Sequence, residues 1–287
     1  MFKREPANVK LTPAGRGTVP VITRQWLEHP RVSTGFFDVR GKFVLITGGS
    51  RGIGLGIARG FVAAGATVFI TARNAADCDA AASKLAEIGN CVSLPGDLSS
   101  VADIGRLVAR IEAQAPHLNV LVNNAGATWG EALESYPEAQ WDTVLDVNLK
   151  APFFLVQHLL PLLRKASSPQ DPARVINVGS IAGNVPMARN SYAYAASKAG
   201  LHHLTQVLAR HLAPDINVNA VAPGAFETRM IEFALQQRAA LEAQVPRGAV
   251  GQGDDIAGVA IFLASRAGSY VTGAVIPVDG GLSLRNP

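Results

Sequence analysis

Residues 43–46, Phe-Val-Leu-Ile, form a short apolar run, and Thr47-Gly48-Gly49-Ser50-Arg51-Gly52-Ile53-Gly54 follows it without a break. A run of that length suits a strand buried on both faces, and residues 52–64 then carry a helical pattern. Three glycines set between a buried strand and a helix leave few folds open. Gly48 suits a tight turn, Gly52 a close backbone approach to a pyrophosphate, and Gly54 the contact of helix on strand. The helix N-terminus adds unpaired N–H groups and a partial positive charge. A glycine cluster alone marks an ordinary turn, but its position here points to dinucleotide binding.

The alternation continues along the chain. Apolar runs at 67–70, 91–94, 120–122, 174–178, 216–221 and 275–278 read as strands. Helical patterns fall between or around them at about 75–88, 100–114, 138–165, 191–212, 228–243 and 253–264. Continuous apolar strands separated by helices predict an α/β fold, a doubly wound parallel sheet of Rossmann type with helices on both faces. Ligands then bind beyond the C-terminal strand ends. With 48% hydrophobic and 17% charged residues the chain can build a large core, so 41–287 reads as one dinucleotide-binding catalytic domain.

Residues 1–40 differ from the rest. They hold seven Lys or Arg against Glu5, Glu28 and Asp38, and the remainder carries 19 charges of each sign. The net charge of +4 therefore belongs to a basic N-terminal extension and argues against nucleic-acid binding. No apolar run in the extension is long enough for a signal peptide or membrane anchor, so no membrane partner is expected. Cys78 and Cys91 lack metal or redox spacing and read as reduced packing residues of an intracellular, cytoplasmic protein.

After the second strand comes Thr71-Ala72-Arg73-Asn74, with none of the acidic residues that accept from the ribose hydroxyls of NAD. Arg73 and Arg51 can instead pair with a 2′-phosphate, which favours NADP(H); the alternative is two solvated surface arginines. Asp97 is placed for an adenine edge, and Asn124-Ala125-Gly126 supplies small residues beside the adenine ring and ribose.

Tyr194-Ala195-Ala196-Ser197-Lys198 lies inside a predicted helix, and a spacing of four puts the Tyr and Lys on one face. A phenol titrates near ~10, and a nearby ammonium lowers that value, so Tyr194 can act as acid or base. Tyr192, six residues before Lys198, faces elsewhere. Ser180 ends the fifth strand with a hydroxyl that can polarise a carbonyl. Asn148 is a polar group in an otherwise amphipathic helix, suited to orient Lys198 or a water chain. Pro223-Gly224 forms a turn after the sixth strand, with Thr228 beyond it.

With these motifs in this order, T-G-G-S-R-G-I-G, N-N-A-G, Asn148, Ser180, Y-A-A-S-K and P-G-A-F-E-T, residues 41–283 resemble the classical short-chain dehydrogenase/reductase family. The resemblance implies a Tyr194–Lys198–Ser180–Asn148 tetrad, with Tyr194 as acid/base, Ser180 on the substrate oxygen and Asn148 holding a relay water. Lys198 would lower the phenol pKa and bind the nicotinamide ribose. Cofactor contacts are expected from Gly48, Ser50, Arg51, Gly52, Ile53, Gly54, Arg73, Asp97, Leu98, Asn124, Ala125, Gly126, Tyr194, Lys198, Pro223, Gly224, Phe226 and Thr228. No metal is implied. The family pattern also implies a homotetramer built through the helices at 138–165 and 191–212. The sequence departs from many members at Gly179, where they carry a second serine.

Residues 225–250, rich in apolar side chains with arginines interspersed, read either as a mobile substrate lid or as an amphipathic helix packed on the core. Trp-Gly-Glu-Ala-Leu-Glu-Ser-Tyr-Pro from Trp129 and Ala-Arg-Val-Ile-Asn-Val-Gly-Ser from Ala173 are similar to 3-oxoacyl reductases of the rhamnolipid-pathway type. Reduction of a 3-oxoacyl thioester is the expected reaction. An NADP(H)-linked sugar, polyol or small-ketone dehydrogenase, and a non-catalytic nucleotide sensor, are the alternatives.

Overall fold

Seven strands run parallel in the order β3-β2-β1-β4-β5-β6-β7. They are β1 (Phe43–Thr47), β2 (Thr67–Thr71), β3 (Cys91–Ser93), β4 (Val120–Asn123), β5 (Ala173–Val178), β6 (Ile216–Pro223) and β7 (Val275–Val278). The computed structural model describes residues 34–186, 190–228 and 237–284. Most of the basic N-terminal extension, and residues 229–236 of the expected lid, lie outside the described residues.

The strands bury both faces, and neighbouring side chains enter different cores. Val44, Ile46, Val68 and Ile70 pack beneath α1 (Gly52–Ala63), α2 (Ala75–Ala86) and α8 (Gly253–Ala264). Leu45, Phe69, Leu121 and Val175 point the other way, against α3 (Val101–Glu112), α5 (Ala151–Ala166) and α6 (Tyr192–Leu212). This is the period of two expected of strands covered on both sides. Helix α1 packs closely on α8: a Cβ at Gly56 would lie 2.5 Å from the Gly253 Cα. Arg174 is 1% exposed in the middle of the sheet, yet donates to the Leu263 and Ser265 carbonyls at the end of α8 and pairs with Asp171. Cys78 and Cys91 are unpaired; Cys78 is buried with its Sγ 3.5 Å from the Ile70 carbonyl, and burial pushes the Cys91 thiol up to about 11.

One expectation needs correction, one is refined and one is seen only in part. The helix expected over 138–165 runs on without a break as α4 (Glu138–Leu145), a π turn (Asp146–Lys150) and α5. Pro152 has no N–H to offer the Asn148 carbonyl four residues back, and its ring crowds that carbonyl, so the helix widens there. Pro223 is not a turn residue but the last residue of β6, in register with Val278; a strand end tolerates the missing donor. Of the helix expected over 228–243, residues 238–242 form α7 (Arg238–Glu242), and residues 229–236 lie outside the described residues. No described helix is long and apolar enough to cross a membrane.

Candidate active site

A cleft of about 1470 Å³ opens across the C-terminal strand ends, where the chain order reverses between β1 and β4. It is lined by every residue expected to contact cofactor, and by Ser180. Asn148 is not among the lining residues; it is 1% exposed behind them.

The glycine loop owes its shape to contacts across the chain. Gly48 has φ +65° and Gly52 φ +54°, a conformation that disfavours side chains. A Cβ at Gly54 would sit 2.3 Å from the Gly48 carbonyl oxygen, so this glycine lets the helix close on its own loop rather than on a strand. Thr47 Oγ1 accepts from the Asn124 and Ala125 amides at 2.9 Å. The Asn124 side chain donates to the Thr47 and Gly48 carbonyls at 2.8 and 3.1 Å. Asn124 therefore holds the loop in addition to lining the cleft.

The residues present fit a dinucleotide phosphate. Arg51, the N-cap of α1, makes no side-chain cap hydrogen bond, which leaves the first-turn N–H groups for an anion. Arg51 and Arg73 are exposed at the cleft, and neither forms an ion pair among the described residues. Thr71 Oγ1, at the end of β2 and on the cleft lining, is buried without a partner, an orphan that a bound polar group would satisfy. Asp97 is exposed and accepts from the Ser99 amide, while Leu98 is 6% exposed beneath it. Phe226 packs over Gly251, and Thr228 stands beside Gly52.

Tyr194 and Lys198 both reach the cleft from α6, as their spacing predicts; Tyr192 instead packs edge-on against Tyr136 at 5.7 Å. Lys198 is 4% exposed and donates to the Val178 carbonyl at 2.7 Å, and burial lowers its pKa from 10.5 to about 8. Its Nζ lies 5.7 Å from the Tyr194 ring centre. The phenol is not lowered as expected. Burial raises the Tyr194 pKa, and the opposing hydrogen bond comes from Ser180. The cause is geometric: the Lys198 ammonium rests on a carbonyl of β5.

The Asn148 side chain bonds to partners other than Lys198. Its Oδ1 accepts from the Ala127 amide at 2.8 Å, and its Nδ2 donates to the Ala127 carbonyl and to Ser197 Oγ, both at 2.9 Å. Ser197, 0% exposed, donates in turn to the Tyr194 carbonyl at 2.7 Å. The π turn is thereby tied to the helix that carries Tyr194. Sequence reasoning missed Ser197 and Thr47. Both are polar residues inside recognised motifs, and a buried hydroxyl there signals a partner elsewhere in the chain. It also missed His202, packed behind Ser180.

A family model described as enoyl-(acyl carrier protein) reductase matches residues 48–283. The rhamnolipids biosynthesis 3-oxoacyl-[acyl-carrier-protein] reductase of Pseudomonas aeruginosa is 47% identical over 253 residues, 87% of this chain and 99% of that protein. The solved RhlG/NADP active-site complex of the same organism superposes with a TM-score of 0.84 at 47% identity, covering 87% of this chain and 99% of that one. A gluconate 5-dehydrogenase from Burkholderia cenocepacia, solved with NADP and tartrate, is 30% identical with a TM-score of 0.81, over 88% and 99% of the two chains. A family match across most of the chain, and relatives matched over nearly their full length, show that this protein belongs to the short-chain dehydrogenase/reductase family.

Proposed function

We propose that the chain is an NADPH-dependent reductase that converts a 3-oxoacyl thioester to its 3-hydroxy product, working as a cytoplasmic homotetramer. The observation that carries this reading is the convergence of Tyr194, Ser180 and Lys198 on the cleft that the glycine loop, Arg51 and Arg73 also line. The substrate class rests on the 47% identical Pseudomonas reductase, and the cofactor on the NADP complex together with the two arginines exposed at the cleft.

When bound, the nicotinamide ring supplies the hydride. Tyr194 gives the ketone oxygen its proton, and burial keeps the phenol protonated at neutral pH, the form a reduction consumes. Ser180 polarises the same oxygen and steadies the phenolate left behind. Lys198 holds the nicotinamide ribose. The Asn148 carbonyl, deprived of its helical donor by Pro152, holds a water that returns the proton. The described part of the 225–250 segment, with Phe226 buried at the cleft, supports a lid that covers the acyl group. Exposed Phe153 on α5 and Val207 on α6 suit subunit contacts on the helices expected to build the tetramer.

An NADPH-consumption assay with an acetoacetyl thioester, a sugar acid and a simple ketone tests the proposal. The thioester should be turned over fastest, and Tyr194→Phe should lower kcat by about a hundredfold or more while NADPH still binds. Faster turnover of the sugar acid would replace the substrate. Parallel loss of NADPH binding in Tyr194→Phe would contradict the chemical role of the phenol.

A further inference from the structure

Gly179 and Gly183 flank Ser180, and an imidazole from α6 crowds both positions, at Gly183 together with the α6 backbone at Lys198 and Ala199. A Cβ at Gly179 would lie 2.1 Å from His202 Nε2, and one at Gly183 would lie 2.8 Å from His202 Cε1. His202 is 5% exposed, one helical turn beyond Lys198. The Ser180 amide donates to its Nε2 at 3.4 Å, and its Nδ1 lies 2.9 Å from Asn184 Oδ1.

These partners fix the tautomer. A backbone N–H can only donate, so Nε2 must be bare; a neutral imidazole then carries its proton on Nδ1 and gives it to the Asn184 oxygen. We infer that His202 is a positioning residue for the catalytic serine, a neutral imidazole that accepts the Ser180 amide and occupies the place of a second strand-end side chain. A side chain at 179 and the imidazole of His202 thus compete for one space behind Ser180. Two further bonds complete the support: Ser180 Oγ accepts from the Ala182 amide at 3.2 Å, and the Asn184 amide bonds back to the Ile181 carbonyl at 2.9 Å. Burial, and then the neighbouring Lys198, depress the His202 pKa to about 4, so the imidazole stays in its accepting form at neutral pH.

The inference rests on the reading of Ser180 given above, and the test separates the two. Steady-state kinetics with NADPH and an acetoacetyl thioester would be measured for Ser180→Ala, His202→Leu, His202→Gln, Gly179→Ser and Gly179→Ser/His202→Ala, with NADPH affinity and Tm recorded for each. The Ser180 amide bond is long, so His202→Leu should lower kcat about fivefold, with NADPH affinity unchanged. His202→Gln, whose amide oxygen can accept the same N–H, should recover most of that loss. Gly179→Ser should be strongly impaired by collision, and removal of the imidazole in the double variant should restore activity at least about fivefold. The double variant decides the matter even if His202→Leu does not fold. A His202→Leu kcat within twofold of wild type, or a double variant no better than Gly179→Ser, overturns the positioning role. If Ser180→Ala itself leaves kcat unchanged, the reading of Ser180 fails instead.

Discussion

At the scale of residues, the site combines two buried nitrogen bases one helical turn apart, and burial lowers the pKa of each. Lys198 has the larger consequence because the proposed reaction uses its ammonium. Its pKa falls from 10.5 to about 8 on folding, so the folded state disfavours the charged form. Below pH 8 both states hold the proton, and the cost of burying it is fully present. Between 8 and 10.5 the unfolded chain keeps a proton that the folded chain has released, so stability rises with pH. The cofactor-free wild type should therefore gain about 2 kcal/mol relative to Lys198→Met between pH 7 and 9.5, read from paired denaturant titrations. A pH-independent difference would show that the ammonium is not desolvated. Tyr194, Lys198 and Ser180 were legible in the sequence because their spacing and their places on strand and helix suffice to bring them together. Ser197, Thr47 and His202 were not. Each acquires its role from a partner 20 or more residues away, and nothing local distinguishes it from an ordinary core polar residue.

At the scale of elements, the sheet was legible almost strand for strand, because strands buried on both faces leave continuous apolar runs. The π turn at 146–150 was not, since a proline acts on the carbonyl four residues before it and leaves the apolar pattern intact. The packing of α1 on α8 makes a sharper demand, which glycine content alone could not reveal. At Gly56 a Cβ would meet the Gly253 Cα at 2.5 Å, backbone that cannot swing aside. Gly258, on α8 itself, has nothing within 4 Å of a Cβ. Gly56→Ala should destabilise the protein by about 2 kcal/mol or more, while Gly258→Ala should stabilise it by about 0.5–1 kcal/mol through helix propensity. Equal effects in thermal or denaturant unfolding would mean that the two helices are free to separate. The exposed Arg59–Asp254 pair between the same helices contributes little by comparison.

At the scale of the whole molecule, the cleft is a product of topology. The ends of β1, β2, β4, β5 and β6, together with the segment after β3, all deliver residues to it, and the reversal of strand order leaves room between them. That arrangement explains why scattered motifs, some 180 residues apart, act as one site. In the proposed reaction this site passes a hydride from NADPH to the keto carbon of an acyl thioester while Tyr194 passes a proton to the oxygen. The most direct measurement follows the atom itself. NADPH carrying deuterium at the transferring position of C4 is mixed with an acetoacetyl thioester and enzyme, and the product is analysed by mass spectrometry. The expected result is one deuterium on C3 of a 3-hydroxyacyl product, formed from one face of the nicotinamide, and formation slowed about a hundredfold or more with Tyr194→Phe. Product without deuterium, or deuterated product formed equally fast by Tyr194→Phe, would contradict it.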